Sequence, residues 1–202
     1  MRKFILTLLL FLPLITFGQP INNYSINWDG ASNISPWGIV GANTFNVTNQ
    51  WPCQGSHSIR VRLQGNQNQR SATIMSDKIG DASGGDITFS FDYKWLRYNS
   101  SLALAGNASE LNMEWQWSNS TSGPWFTFAT RDDNNHTEST NCTTVTTTFS
   151  AYPGELYVRL VASNTVSNGD NYLYIDNVNI QEGAPPTCFM PEDLYITNKT
   201  KT

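Results

Sequence analysis

The chain has 202 residues, with 12 Lys and Arg against 16 Asp and Glu, and only 14% of its side chains are charged. A net charge of -4 lacks the electrostatic footprint of a nucleic-acid binder, and 12% aromatic content is too high for a disordered chain. Low charge with abundant Asn, Ser and Thr describes an extracellular β protein better than a cytoplasmic enzyme.

The first residues address the chain for export. Met1-Arg2-Lys3 is a basic start, Phe4 to Phe17 is an apolar run broken by Pro13, and small residues lie around Gly18. A signal sequence is expected over 1–18, with Gln19 opening the mature protein. The run falls short of the roughly 20 residues that a bilayer requires, so no membrane span is expected after cleavage. Loss of Arg2 and Lys3 leaves ten basic side chains against sixteen acidic ones, a net charge of -6. The stretch 19–183 suits one domain, able to bury roughly 70% of its unfolded surface.

Strand periodicity runs through this stretch. In "HSIRVRL" the apolar positions are Ile59, Val61 and Leu63; in "DITFSFDYKW" they are Ile87, Phe89, Phe91, Tyr93 and Trp95, leaving Thr88, Ser90, Asp92 and Lys94 for a wet face. "ELNMEWQW" continues with Leu111, Met113, Trp115 and Trp117 inward and Glu110, Asn112, Glu114 and Gln116 outward, and "GELYVRLVA" with Leu156, Val158 and Leu160. Turn clusters such as "QGNQNQ", "GDASGG" and "SNSTSGP" separate these antiparallel-type strands, as in an all-β sandwich or barrel. The last strand, "DNYLYIDNVNI", breaks the rule: Ile175 and Val178 are natural core residues three apart. A β-bulge at Asp176-Asn177 would turn Ile175, Val178 and Ile180 inward together.

In this order, "GSHSIRVRL", "ATIMSDKI", "DITFSFDYKW", "ELNMEWQWSNSTSGPW", "AYPGELYVRLVA" and "LYIDNVNI" resemble a MAM-type or cleaved-adhesin-type module, which implies an antiparallel jelly-roll β-sandwich. The resemblance covers Ile26 to Glu182. Ser76-Asp77 replaces the usual Ser-Pro, and the cysteines depart from the animal MAM pattern, so the chain looks closer to modules of secreted bacterial surface proteins. The segment 184–202, with "APPTCFMPEDLYITNKT", resembles a linker and the first strand of a fibronectin type III module. Cys53, Cys142 and Cys188 are an odd set for an oxidising compartment; Cys53 with Cys142 is the pair expected, with Cys188 left for a partner elsewhere.

Two roles stand open for Asp176. It either accepts backbone N–H groups at the bulge, or, as the resemblance implies, joins an acid near the N-terminus around a structural calcium ion, with Asp29 in "NWDGAS" as partner. Among seven tryptophans, Trp95, Trp115 and Trp117 follow the buried parity, whereas Trp37, Trp51 and Trp125 lie in or beside loops and are candidates for a ligand-binding surface.

Catalysis finds no support. "RDDNNHTES" crowds Asp132, Asp133, His136 and Glu138 into one polar hairpin tip without a second His nearby. "GDASGG" carries an extra Ala82 that would misplace the Ser83 hydroxyl, and His57 starts a strand without the setting of a protease base. Glu110 and Glu114 are strand neighbours rather than groups facing across a cleft. The expectation is a secreted, non-catalytic binding module whose partner is a glycan or a cell-surface protein. An accessory domain of a secreted hydrolase and a structural spacer are the alternatives.

Overall fold

Alternating apolar residues produce strands with one oily face, and two such sheets close on each other. A computed structural model of the chain describes residues 20–41, 43–65, 69–98, 104–167 and 169–185. The expected signal sequence, Cys188 and nearly all of the fibronectin-like segment lie outside the described residues.

Strands are numbered β1 to β13 in chain order. The first sheet is built on β7 (Asp86–Arg97) and β13 (Asp170–Glu182). Thr143–Ser150 (β11) flanks β7, while Ser58–Gln64 (β4) and then Asn46–Thr48 (β3) extend the sheet beyond β13. Tyr24–Ile26 (β1) and Leu104–Ala105 (β8) add short pairings to β13 and β7. The second sheet has the order Phe126–Arg131 (β10), Leu111–Ser118 (β9), Gly154–Asn164 (β12), Ser71–Met75 (β5) and Gly38–Val40 (β2), with Gly80–Ala82 (β6) on β12. Every pairing is antiparallel, and the protein is an all-β jelly-roll sandwich.

The core lies where the inward residues of β7 and β13 meet those of β9 and β12. Trp115 packs against Phe89 and Phe91 at 4.8 and 5.0 Å between ring centroids, contacts worth about 0.5–1.5 kcal/mol each beyond simple burial. Met113, Leu156, Val158 and Leu160 are fully enclosed, as their parity predicts.

The closing strand carries the expected bulge. Asp176 lies opposite Asp92 and Asn179 opposite Ser90, so three steps along β13 match two along β7. Asn177 absorbs the extra residue at φ 46°, and Ile175, Val178 and Ile180 all reach the core. Up to Ile175 the free edge of β13 pairs with β4, and from Val178 it pairs with β1. The bulge is therefore the point at which the strand changes partner.

Two expectations about wet faces fail. Asp92 and Lys94 are buried, because the segment Gln50–Gln54 folds over the outer side of β7: Lys94 Nζ donates to the Pro52 carbonyl at 3.3 Å, and Gln54 Nε2 donates to Asp92 Oδ2 at 2.9 Å. Glu110 is buried too, since it ends a single 3-10 turn (Ala108–Glu110) ahead of β9 and accepts the Asn171 Nδ2 hydrogen bond at 2.6 Å.

Candidate ligand-binding site

Asp29 and Asp176 come from opposite ends of the chain and hold the same loop. Asp176, buried at the bulge, accepts from Ser58 Oγ at 2.8 Å and Gln54 N at 3.3 Å, and from Asn177 N at 2.9 Å. Burial pushes its carboxyl above the ordinary carboxylate range despite those hydrogen bonds. Asp29, exposed on the loop after β1, takes the Ser56 and His57 N–H groups, which hold its carboxyl below that range. Gly55 bends between them at φ +57°, with no room for a side chain: a Cβ there would stand 2.0 Å from Asp29 Oδ2.

The residues present do not fit the calcium ion expected for this pair. Calcium takes six to eight oxygen ligands, whereas the partners of both carboxylates are N–H and O–H donors whose positive ends face the acids. Among the described residues no three His, Cys, Asp or Glu side chains converge as a metal cluster. The hydrogen-bonding alternative accounts for the geometry: two acids fasten Gln54–Ser58. A disulfide joins Cys53, at the start of that loop, to Cys142 just before β11, with Cα atoms 5.4 Å apart.

The three loop tryptophans have different fates. Trp37 is 3% exposed, edge-on to Trp28 and Trp115, with its Nε1 donating to the Tyr24 hydroxyl at 2.8 Å. Its ring closes one end of the core and is no ligand platform, although Pro36 and Gly38 on either side look like a surface turn. Trp51 is 46% exposed on the loop after β3. Trp125, half-buried in the turn before β10, lies flat enough for the Arg159 guanidinium carbon to sit 4.2 Å from its ring centroid.

Around Trp125 the outer face of the second sheet forms a continuous polar row. Arg159 Nε donates to Gln116 Oε1 at 2.7 Å, Gln116 Nε2 donates to Glu114 Oε2 at 2.9 Å and to Thr127 Oγ1 at 3.2 Å, and the Thr127 hydroxyl donates to Glu114 Oε2 at 3.2 Å. Strand pairing brings these residues together, with Gln116 opposite both Arg159 and Thr127. Beyond Trp117, the rings of Phe126 and Tyr152 stand 40% and 67% exposed. A ring beside hydrogen-bonding groups, two of them charged, can hold a sugar: the ring meets C–H faces and the polar row meets hydroxyls. The alternation in "ELNMEWQW" placed Glu114 and Gln116 outward, but Arg159 and Thr127 join them only through pairing between distant strands.

The other clusters are structural. His136 is buried with Nδ1 2.8 Å from the Tyr93 hydroxyl, and Asp132 turns its own loop by accepting Asn134 N. The Ser83 hydroxyl donates to Glu182, which also accepts Ser83 N, Gly85 N and Ile21 N.

No family model matches the chain, and no curated protein matches it by sequence. Solved structures do. A family 61 carbohydrate-binding module in complex with β-1,4-galactotriose superposes with a TM-score of 0.52 at 11% identity, covering 78% of this chain and 94% of that one. The family 22 and GH10 modules of a Clostridium thermocellum endo-1,4-β-D-xylanase, complexed with xylohexaose, give 0.54 at 13% identity, covering 85% of this chain but 30% of the longer one. The K2 cleaved adhesin domain of Lys-gingipain gives 0.53 at 8% identity over 80% of this chain and 98% of that one. At such identities the likeness is one of fold, and it includes the cleaved-adhesin architecture to which the motif order pointed.

Proposed function

We propose that the chain is a secreted, non-catalytic module that attaches to surfaces by binding carbohydrate. The observation that carries this is the half-exposed Trp125 stacked on Arg159 beside the Glu114, Gln116 and Thr127 row. Two of the structural neighbours were solved with bound oligosaccharides, which supports the choice of ligand class. The signal features in residues 1–18 support export, and the MAM-like motif order fits a role in adhesion. The module acts on its own or as the accessory domain of a hydrolase; the xylanase, in which this fold is joined to a GH10 module, supports the second context.

The test is titration of the purified chain against neutral oligosaccharides, including β-1,4-galacto- and xylo-oligomers, beside Trp125→Ala. Binding that falls about tenfold or more in the variant, with the fold retained, agrees with the proposal. A folded chain that binds no member of a broad glycan panel returns the module to the role of spacer.

A further inference from the structure

A second polar concavity lies at the β3 edge of the first sheet, whereas the Trp125 row stands on the second. It is a groove of about 370 Å³ whose lining includes Ala31, Thr48, Asn49, Gln50, His57 and Arg60. Its floor charge is Arg60. The neighbouring Arg62 is neutralised by a two-pronged bridge to Asp170, but Arg60 forms no ion pair among the described residues. Its guanidinium is held by Gln50 Oε1 at 3.1 Å and lies over the Tyr172 ring at 4.5 Å and the Tyr174 ring at 5.9 Å. Asp29, the acid closest in sequence to the groove lining, is occupied by the Ser56 and His57 N–H groups.

Directly after Gln50 comes Trp51, 46% exposed and at φ 53°. A bulky residue in the left-handed region is an outlier that persists only where the surroundings impose it, and such outliers gather at ligand sites. Here the surroundings are identifiable: the Lys94 bond to the Pro52 carbonyl, the Cys53–Cys142 disulfide and the carboxylates gripping Gln54–Ser58. A large ring is thus held in water on a fixed loop, one residue beyond the Gln50 that holds the Arg60 guanidinium.

We infer that this groove is a second saccharide site, specific for acidic sugars: Trp51 stacks on the ring of a uronate or sulfated residue, and Arg60 pairs with its carboxylate or sulfate. Arginine suits this role because its planar fork meets such anions with two hydrogen bonds. The chain as a whole is acidic, so a polyanion gains no general attraction and must find this one locus. The site is independent of the Trp125 face.

The experiment uses oligogalacturonate and a chondroitin sulfate oligosaccharide as probes, at low and high ionic strength, on the full chain and on Trp51→Ala, Arg60→Gln, Arg60→Lys and Trp125→Ala. One or both probes bind the wild type, and the one that binds names the anion. Affinity falls about tenfold or more in Trp51→Ala and Arg60→Gln, recovers in part in Arg60→Lys, weakens with salt, and is unchanged in Trp125→Ala. Trp51→Ala removes an exposed ring and keeps the test valid should Arg60→Gln fail to fold. Absence of binding by the wild type, or binding that survives Trp51→Ala, overturns the inference. Loss of neutral-glycan binding in Trp125→Ala is a separate result that bears only on the other face.

Discussion

At the level of single residues, Asp29 and Asp176 do the same job under opposite electrostatic conditions. Backbone N–H groups lower the Asp29 carboxyl, so its contribution to stability is complete above the unfolded value near 3.9 and is lost as pH falls through the lower folded value. Burial raises Asp176, so its ionisation opposes folding as pH rises through its folded value. The two slopes partly cancel in the wild type, and a variant separates them. Asp29→Asn is expected to melt below the wild type at pH 7, with the gap narrowing as pH falls below the unfolded value; a gap that stays constant through acid pH would show that the charge of Asp29 contributes nothing. Chelator is expected to leave both melting temperatures unchanged, because the partners that hold both carboxylates are N–H and O–H donors. A second residue-scale prediction concerns Gly123, at φ +87°, where a Cβ would come within 2.8 Å of the Trp125 ring. Gly123→Ala should destabilise the fold by about 1 kcal/mol or more and weaken neutral-glycan binding with it, read by urea unfolding and titration on one preparation. The turn residues of "SNSTSGPW" are visible in the sequence, whereas the contact that demands glycine at this position depends on where Trp125 comes to rest.

At the level of elements, β13 shows what a local pattern reveals and what it hides. The three-residue spacing of Ile175 and Val178 betrays the bulge before any coordinates are known, since a regular strand cannot bury both. The change of partner at that bulge, from β4 to β1, is a pairing between segments more than a hundred residues apart and leaves no mark within the strand. The same limit explains Asp92 and Lys94, which alternate like solvent-facing residues until Gln50–Gln54 covers them. Trp37, a core ring in the guise of a turn residue, fails for the same reason. The bulge itself makes a prediction. Asn177 sits in the left-handed region and donates Nδ2 to Asp92 at 2.7 Å. Asn177→Gly keeps the backbone and loses that bond, for about 1 kcal/mol. Asn177→Val loses the bond and adds a β-branched side chain at positive φ, for a further 1–2 kcal/mol or so. Equal denaturation midpoints for the two variants would mean that the backbone conformation of Asn177 carries no energetic weight.

For the molecule as a whole, two sheets placed back to back give two outer faces that do not share residues. Trp125, Arg159 and Gln116 stand on the second sheet, and Arg60 and Tyr172 stand on the first, with Trp115, Phe89 and Phe91 packed between. The Cys53–Cys142 bond belongs to the first face alone. It spans 89 residues of sequence, a loop whose closure in the unfolded chain is worth about 4–5 kcal/mol in the chain-entropy picture, with measured values often smaller. It also anchors the loop that presents Trp51 to the residue preceding β11. Cleaving it therefore acts on stability everywhere and on geometry in one place. The paired variant Cys53→Ser with Cys142→Ser is expected to unfold at lower denaturant by a few kcal/mol. While still folded, it should lose affinity for oligogalacturonate or chondroitin sulfate through the freed Trp51 loop, and keep its affinity for neutral oligosaccharides at Trp125. An equal loss at both faces would require that the disulfide hold the sandwich in shape rather than its loop, a result inconsistent with a core of packed aromatic rings to which neither cysteine belongs.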